Sequence, residues 1–422
     1  MVWMETRPVD ERMRFVMAVE AGEESFALLC RRFGISRKTG YKWLERWRTS
    51  GAAGLFDQSR APLTHPQALD PDVVEACLGV RRVHPTWGPL KVKAWLERER
   101  PQRAWPAASS IGTLFDREGL TVKRRLRRRG PPSTTPFASC QAPNDLWCMD
   151  FKGWFRTGDG ERCDPFTLCD GASRFLFRCQ VMERCDADHV WPVLDAAFRE
   201  FGLPRSLRSD NGSPFASVGV GGLSRLSVKV IKAGVVPDRI EPGKPQQNGR
   251  LERLHLTLLG DAASPPAETL AAQRRRFAAF QKTYNEDRPH QALGGLTPGA
   301  LYIPSPRSWD GILREPHYRS DEQVRRVRSN GEIKWGGEMI YLNHALAGEP
   351  VGLAETENGW TVRFAFVPLG VIPHGAGKLK PPRRRAGGLV DKPAACPQPH
   401  RPNNNNNGDM NKTGKLSPMS PV

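Results

Sequence analysis

Apolar positions in the first fifty residues recur at helical spacing in three short blocks separated by turn residues. The block ERMRFVMAVEAG is amphipathic and stops at Gly22; SFALLCRRFGIS starts at a capping Ser25 and stops at Gly34; SRKTGYKWLERWRTSG starts at Ser36 and stops at Gly51. Helix, tight turn at Phe33-Gly34-Ile35, then helix is the grammar of a helix-turn-helix unit, here residues 10–53. Ala27, Leu28, Ile35, Trp43, Leu44 and Trp47 are the expected core. That leaves Arg37, Lys38, Thr39 and Lys42 free to face a major groove. A helical bundle with a merely solvated basic face is the competing reading.

Residues 54–71 are rich in proline and turn formers and read as a linker. A second helical unit, 68–130, follows with DVVEACLGVRRVHP, GPLKVKAWLERE and SSIGTLFDREGL, and closes on KRRLRRRG. Lys123, Arg124, Arg125, Arg127, Arg128 and Arg129 repel one another unless phosphates or another polyanion lies among them. From residue 140 the periodicity changes. DLWCMDFKGWFR, DPFTLCDGASRFLFRCQVM and RSLRSDNGSPF read as strands, with ADHVWPVLDAAFREFG as a helix between them. Strands, a crossover helix and a further strand predict an α/β layer over 140–305. Short strands return at 322–372, with Asn330-Gly331 and Asn358-Gly359 as hairpin signals, and predict a small β-barrel. The basic and asparagine-rich stretch 375–422 is expected to be disordered.

Charge sharpens the picture. The 422 residues carry 63 lysines and arginines against 45 acids, a net charge of +18, which calls for a polyanionic partner. Nucleic acid leads, and an anionic membrane surface is the rival. No apolar run reaches the roughly 18 residues of a membrane span, and the N-terminus carries acids where a secretion signal is apolar, so a cytoplasmic protein is expected. The nine cysteines include no CxxC pair and no histidine at zinc spacing; they read as reduced, mostly buried thiols.

Three carboxylates stand out. Asp150 is the one charged residue of a strand built from Trp147, Cys148, Met149 and Phe151, and an isolated buried charge needs a partner or a metal. Asp210 ends a strand just before Asn211-Gly212, at the strand edge where α/β sheets place ligands. Glu252 lies in the first turn of a helix beginning near Asn248-Gly249. Oxygen ligands from three elements suit Mg²⁺, and a carboxylate cluster holding two such ions is the arrangement for in-line attack at a phosphodiester. Lys244, Gln247, Asn248, Arg250 and Arg253 are candidate contacts to the substrate backbone. His255, one turn beyond Glu252, is a possible auxiliary that orients a phosphate or water, or simply packs. Glu241, in a proline-flanked loop, competes as third ligand, and Asp170 reads as a turn acid.

MDFKG, SDNGSPF and QQNGRLERLH, followed by YNEDRPHQAL, LTP and LY, resemble the integrase core of bacterial insertion-sequence transposases in the retroviral-integrase superfamily. The resemblance runs over roughly residues 10–305. It implies an RNase H-like fold for the core and a D,D,E triad at Asp150, Asp210 and Glu252 that binds two Mg²⁺, with Mn²⁺ able to substitute. The spacing from Asp210 to Glu252, 252 − 210 = 42, exceeds the interval usual in the superfamily. The activity implied is binding of the element's terminal inverted repeats, exposure of a 3′-OH and its transfer into target DNA. A homo-oligomer on DNA, associated with the nucleoid, is implied with it. A sequence-specific regulator or a catalytically decayed transposase are the alternatives. A tyrosine recombinase is disfavoured, since none of the five tyrosines sits in an arginine and histidine constellation.

Overall fold

Short apolar stripes on three helices can bury themselves only against one another, and this is how the N-terminal residues fold. The computed structural model describes residues 7–59, 68–121, 137, 140–217, 219–241 and 245–381. It divides into two compact units, Met1–Asp70 and Pro71–Val422. In the first, α1 (Pro8–Ala21), α2 (Phe26–Arg32) and α3 (Arg37–Ser50) pack around Phe15, Val16, Leu29, Cys30, Trp43, Leu44 and Leu55. Gly22 and Gly34 take left-handed φ of +67° where α1 ends and the turn after α2 begins, and Ser36 caps α3 by accepting from the Thr39 amide at 3.2 Å. Ile35 and Trp47 pack against this core as expected, but Leu28 does not: it is 48% exposed. Neighbours on a helix are about 100° apart, and the inward stripe of α2 runs through Leu29 and Cys30. At Gly40 an added Cβ would lie 2.8 Å from Cys30 Sγ and 2.9 Å from the Phe26 ring, so α3 crosses α2 closely only because that position is bare.

The second unit opens with α4 (Pro71–Val83), α5 (Pro89–Glu99) and α6 (Ala108–Arg117) around Cys77, Trp87, Val92, Leu96, Ile111 and Phe115. The basic run holding Lys123, Arg124, Arg125, Arg127, Arg128 and Arg129 lies outside the described residues.

The sheet that follows consists of β1 (Leu146–Phe151), β2 (Phe155–Arg156), β3 (Arg162–Asp170), β4 (Leu176–Met182), β5 (Ser206–Ser209) and β6 (Val236–Arg239). Its order is β2-β3-β1-β5-β6, with β4 also on β3; β1, β3 and β4 are antiparallel, and β1-β5 and β5-β6 are parallel. Helix α7 (Ala187–Phe201) connects β4 to β5, and α8 (Arg225–Lys232) connects β5 to β6. Alternation along β1 sends Trp147 and Met149 into a core with α7 and α8, and Leu146 and Cys148 into a second core with α9 (Gly249–Leu258) and α10 (Leu270–Lys282). Cys148, Cys163, Cys169 and Cys179 all line that second core as buried free thiols. The stretch after α10 braces the core: the Asn285 amide accepts from Leu176 N and donates to Leu176 O, acting as one more strand residue beside β4. Arg288 pairs with Asp261 at 2.7 Å. The brace ends at α11 (Pro298–Leu301).

The remaining strands, β7 (Gln323–Arg326), β8 (Glu332–Trp335), β9 (Glu338–Tyr341), β10 (Pro350–Thr356), β11 (Gly359–Phe364) and β12 (Val367–Ile372), do not close. They form an antiparallel sheet β12-β11-β10-β7 and a separate hairpin β8-β9, which corrects the barrel expectation for the described residues. The reason is a different partner for the apolar face: Val351, Leu353, Val362 and Phe364 pack with Leu223, Val228 and Ile231 of the α8 region. Asn343 donates to the Val220 and Leu223 carbonyls, and Lys232 pairs with Glu349 at 2.8 Å. Only one of the two hairpin signals turns a hairpin, with Thr356 opposite Gly359; the β8-β9 turn instead uses Gly336-Gly337. Of the segment expected to be disordered, residues 375–381 are described, with Lys380 bridging to Val371; the rest lies outside the described residues.

Candidate catalytic site

Strand alternation puts Asp150 on the same side of β1 as Cys148, the side covered by α9. There Leu251, Leu254 and Leu258 are buried against the sheet, which leaves Glu252 exposed at the helix start. Asp210 follows directly on β5, the strand beside β1, and its Oδ1 accepts from Gly212 N at 3.1 Å. This is the Asx turn its neighbours foretell. The side chain's charge still reaches Asp150.

Burial, then Asp210, then to a smaller degree Glu252, push the Asp150 carboxyl up to about 7, against a backbone hydrogen bond and Lys152, which lower it. The three acids thus share one electrostatic field. They do not close into a three-ligand metal set among the described residues. Three hard oxygen donors fit a divalent cation by type. A further observation points the same way: Asn248, 5% exposed, lies 3.5 Å from Asp150 Oδ2 through Nδ2, while its Oδ1 is buried with no partner among the described residues. Buried polar atoms are rarely left so.

His255 is buried, with Nε2 2.9 Å from Thr167 Oγ1, and Thr167 stands opposite Asp150 in the β1-β3 register. Burial and the nearby Lys152 lower its pKa to about 4. It is placed to hold α9 against the sheet rather than to meet a substrate directly. The two competing acids are engaged elsewhere. Asp170 is fully buried and accepts from Asn144 N, Ala172 N and Ser173 N and Oγ, a turn acid as expected. Glu241 is clasped by the Gln247 side-chain amide through both backbone and carboxylate.

The basic and amide residues around Glu252 separate into two kinds. Arg250 donates to the Gly171 carbonyl and to Cys140 Sγ and stacks on Phe137 at 3.7 Å, so its guanidinium is spent inside the protein. Gln247 is spent on Glu241 and Asn248 is buried; only Arg253 of the described group is exposed. Gln247, Asn248 and Arg250, candidate contacts to the substrate backbone, thus have their side chains turned to partners within the protein or buried beside Asp150. Lys244 lies outside the described residues. In the first unit Arg37, Lys38 and Lys42 are exposed on α3, and Thr39 is half-buried at its start. Sequence reasoning passed over Lys152, although its place two residues after Asp150 marks it. It also passed over Arg208, which is buried and ties Asp238 to the Gln247 carbonyl at 2.8 and 3.1 Å, anchoring the approach to α9.

Comparison with known proteins matches the N-terminal helical regions and the core. Models of an integrase core domain match residues 141–245 and 233–298, a helix-turn-helix domain matches 11–62, and a homeodomain-like domain matches 39–115. An insertion element IS407 protein from Burkholderia multivorans is 31% identical over 190 residues, 44% of this chain and 66% of its own length. An insertion element IS476 protein from Xanthomonas euvesicatoria is 26% identical over 279 residues, 64% of this chain and 75% of its own. Among solved structures, the catalytic core domain of BIV integrase is similar with TM-score 0.30 and 22% identity, covering 38% of this chain and 93% of that one. A simian T-cell lymphotropic virus intasome is similar with TM-score 0.32 and 15% identity, covering 71% and 94%. No helix among the described residues is long and apolar enough to cross a membrane.

Proposed function

From the premise that this chain belongs to the insertion-sequence transposases with an integrase-type core, we propose that it binds the ends of its element, cleaves a phosphodiester to expose a 3′-OH and joins that end to target DNA. The observation that carries this reading is the placement of Asp150 on β1 beside Asp210 at the end of β5, with Glu252 at the start of the helix that covers that side of β1; burial first, then the charges of Asp210 and Glu252, raise the Asp150 carboxyl to about 7. Such a cluster is costly in a resting fold and suits a site that takes up cations.

Asp150, Asp210 and Glu252 would hold two Mg²⁺, or Mn²⁺, which when bound activate the attacking oxygen and stabilise the leaving one. The rest is done by the chain. Asn248 supports Asp150 from the start of α9, and the unpaired Asn248 oxygen is available to a group entering the site. His255, neutral, keeps α9 and Glu252 in register with β3 through Thr167. Lys152 supplies positive charge to Asp150, where a scissile phosphate would need it, and exposed Arg253 follows Glu252 on α9. Recognition of the ends falls to α3 in the first unit, and juxtaposing two ends calls for more than one copy of the chain.

The test is Mg²⁺- or Mn²⁺-dependent nicking and strand transfer on DNA carrying the element's ends, with Asp150→Asn, Asp210→Asn and Glu252→Gln beside the wild type. Loss of chemistry with end binding retained is the expected result. End binding by a wild type that cuts nothing would replace this reading with a regulator or a decayed enzyme, and a cutting Glu252→Gln variant would remove Glu252 from the triad.

A further inference from the structure

A large aromatic ring left in water four residues along the chain from Asp150 asks for an occupant. Trp154 is 56% exposed, four residues beyond Asp150, where the chain leaves β1 through Gly153 at φ +88° and enters β2. Its ring is attended by two guanidiniums, Arg162 at 5.1 Å and Arg156 at 5.8 Å from the ring centre. Those two arginines face each other directly in the β2-β3 pairing. Like charges placed opposite on a two-residue ladder destabilise it, unless something negative sits between them.

The protein supplies only part of that. Asp164 grips Arg162 with two bonds of 2.6 and 2.8 Å, and the Gly160 carbonyl holds Arg156 at 2.6 Å. These bonds fix both guanidiniums in place and leave Arg156 without an acidic partner among the described ion pairs. Of the other acids in this hairpin, Asp159 accepts from Thr157 Oγ1 and Glu161 N, and Glu161 is exposed. An exposed indole with a rigid cationic surround is what unpaired nucleic acid needs: a surface for one base and counter-charge for its phosphates.

We propose that Trp154, with Arg156 and Arg162, is a stacking platform for one unpaired base of the substrate DNA close to the scissile phosphodiester, so that strand separation at the cut site is held by protein. The inference rests on the transposase reading for its substrate. The competing occupant of the same ring is a second copy of this chain.

The experiment uses the full chain and a forked duplex with the element's terminal sequence, 2-aminopurine being moved one nucleotide at a time through the unpaired arm. Binding and fluorescence are read without divalent cation, and nicking is read separately in Mg²⁺. The expected result is quenching at one position, lost in Trp154→Ala and kept in Trp154→Phe. Affinity for the fork should fall about 5- to 150-fold in the alanine variant, and affinity for the fully paired duplex should hardly change. Quenching at no position, or equal quenching in wild type and Trp154→Ala, overturns the platform. So does an equal affinity loss on fork and paired duplex, which assigns the ring to protein contacts. Quenching with no nicking keeps the platform and removes the transposase reading.

Discussion

Thr167 Oγ1 lies 3.2 Å from the Asp150 carbonyl oxygen and 2.9 Å from His255 Nε2, so one hydroxyl joins the strand that carries the first acid to the helix that carries the third. A hydroxyl has one proton to give. It goes to the carbonyl, so the imidazole must donate through Nε2–H, which fixes a neutral tautomer in agreement with a pKa lowered to about 4. Thr167→Val keeps the shape and removes both bonds, stranding a buried N–H. Urea unfolding is expected to show a loss of about 1–3 kcal/mol, and nicking should slow at saturating DNA while the Kd for end DNA stays put. A valine variant that cuts at the wild-type rate would reduce this network to ordinary packing.

The same histidine predicts a pH dependence with a definite sign. His255 and His290 are both lowered to about 4, mainly by burial, whereas an unfolded histidine titrates near 6.5. Between these values the unfolded chain binds more protons. Their contribution to stability is therefore complete above about 6.5 and is lost as pH falls toward 4, by up to about 3 kcal/mol for each. Asp150, raised to about 7, acts in the opposite direction over the same range, so the informative quantity is a difference between variants. Urea midpoints at several pH values should decline less steeply on acidification for His255→Gln than for wild type; parallel profiles would mean that His255 is not buried neutral.

What the sequence made legible follows from what local pattern encodes. Gly22, Gly34 and Ser36 punctuate the first helices because caps and left-handed turns are local chemistry, and Asp150 was visible as a lone charge in an apolar strand. Leu28 was misplaced because a helix of seven residues, α2, carries too little period to fix its inward face. The partners of Arg250 and Gln247 were not legible, because composition shows a charge or amide but not what it pairs with; Gly171 and Glu241, which they meet in the fold, are distant in sequence or in a loop. The barrel failed for a similar reason. Alternation announces an apolar sheet face, and only tertiary structure says that α8, not another strand, covers it.

Charge crowding at the site predicts that activity and stability are opposed there. In metal-free buffer, Asp150→Asn removes a largely buried carboxylate that faces Asp210 and Glu252, and should raise the melting temperature of the second unit by about 2–4 °C per kcal/mol of repulsion relieved. Adding Mg²⁺ should raise the wild-type melting temperature more than that of the variant, since bound ligand stabilises only a fold that takes it up. Differential scanning calorimetry with and without Mg²⁺ reads both. An asparagine variant that melts lower than wild type in metal-free buffer would mean that Asp150 is a structural acid, and the cluster would lose its meaning as a cation site.

The proposed recognition of DNA by α3 makes a separable prediction, because Arg37, Lys38 and Lys42 are exposed and no ion pair with an acid is found for them among the described residues. Each phosphate contact releases about one counterion, so the slope of log affinity against log salt should be steep for wild type and shallower by about 1 for each contact removed. Lys38→Ala or Lys42→Ala that lowers affinity on every sequence and reduces the slope is a backbone contact. Arg37→Ala that lowers affinity for the element's ends but not for random duplex reads a base edge, at about 1–3 kcal/mol. Fluorescence anisotropy across a salt series distinguishes these cases, and substitutions on α3 that change neither slope nor preference would move recognition to another element of the chain.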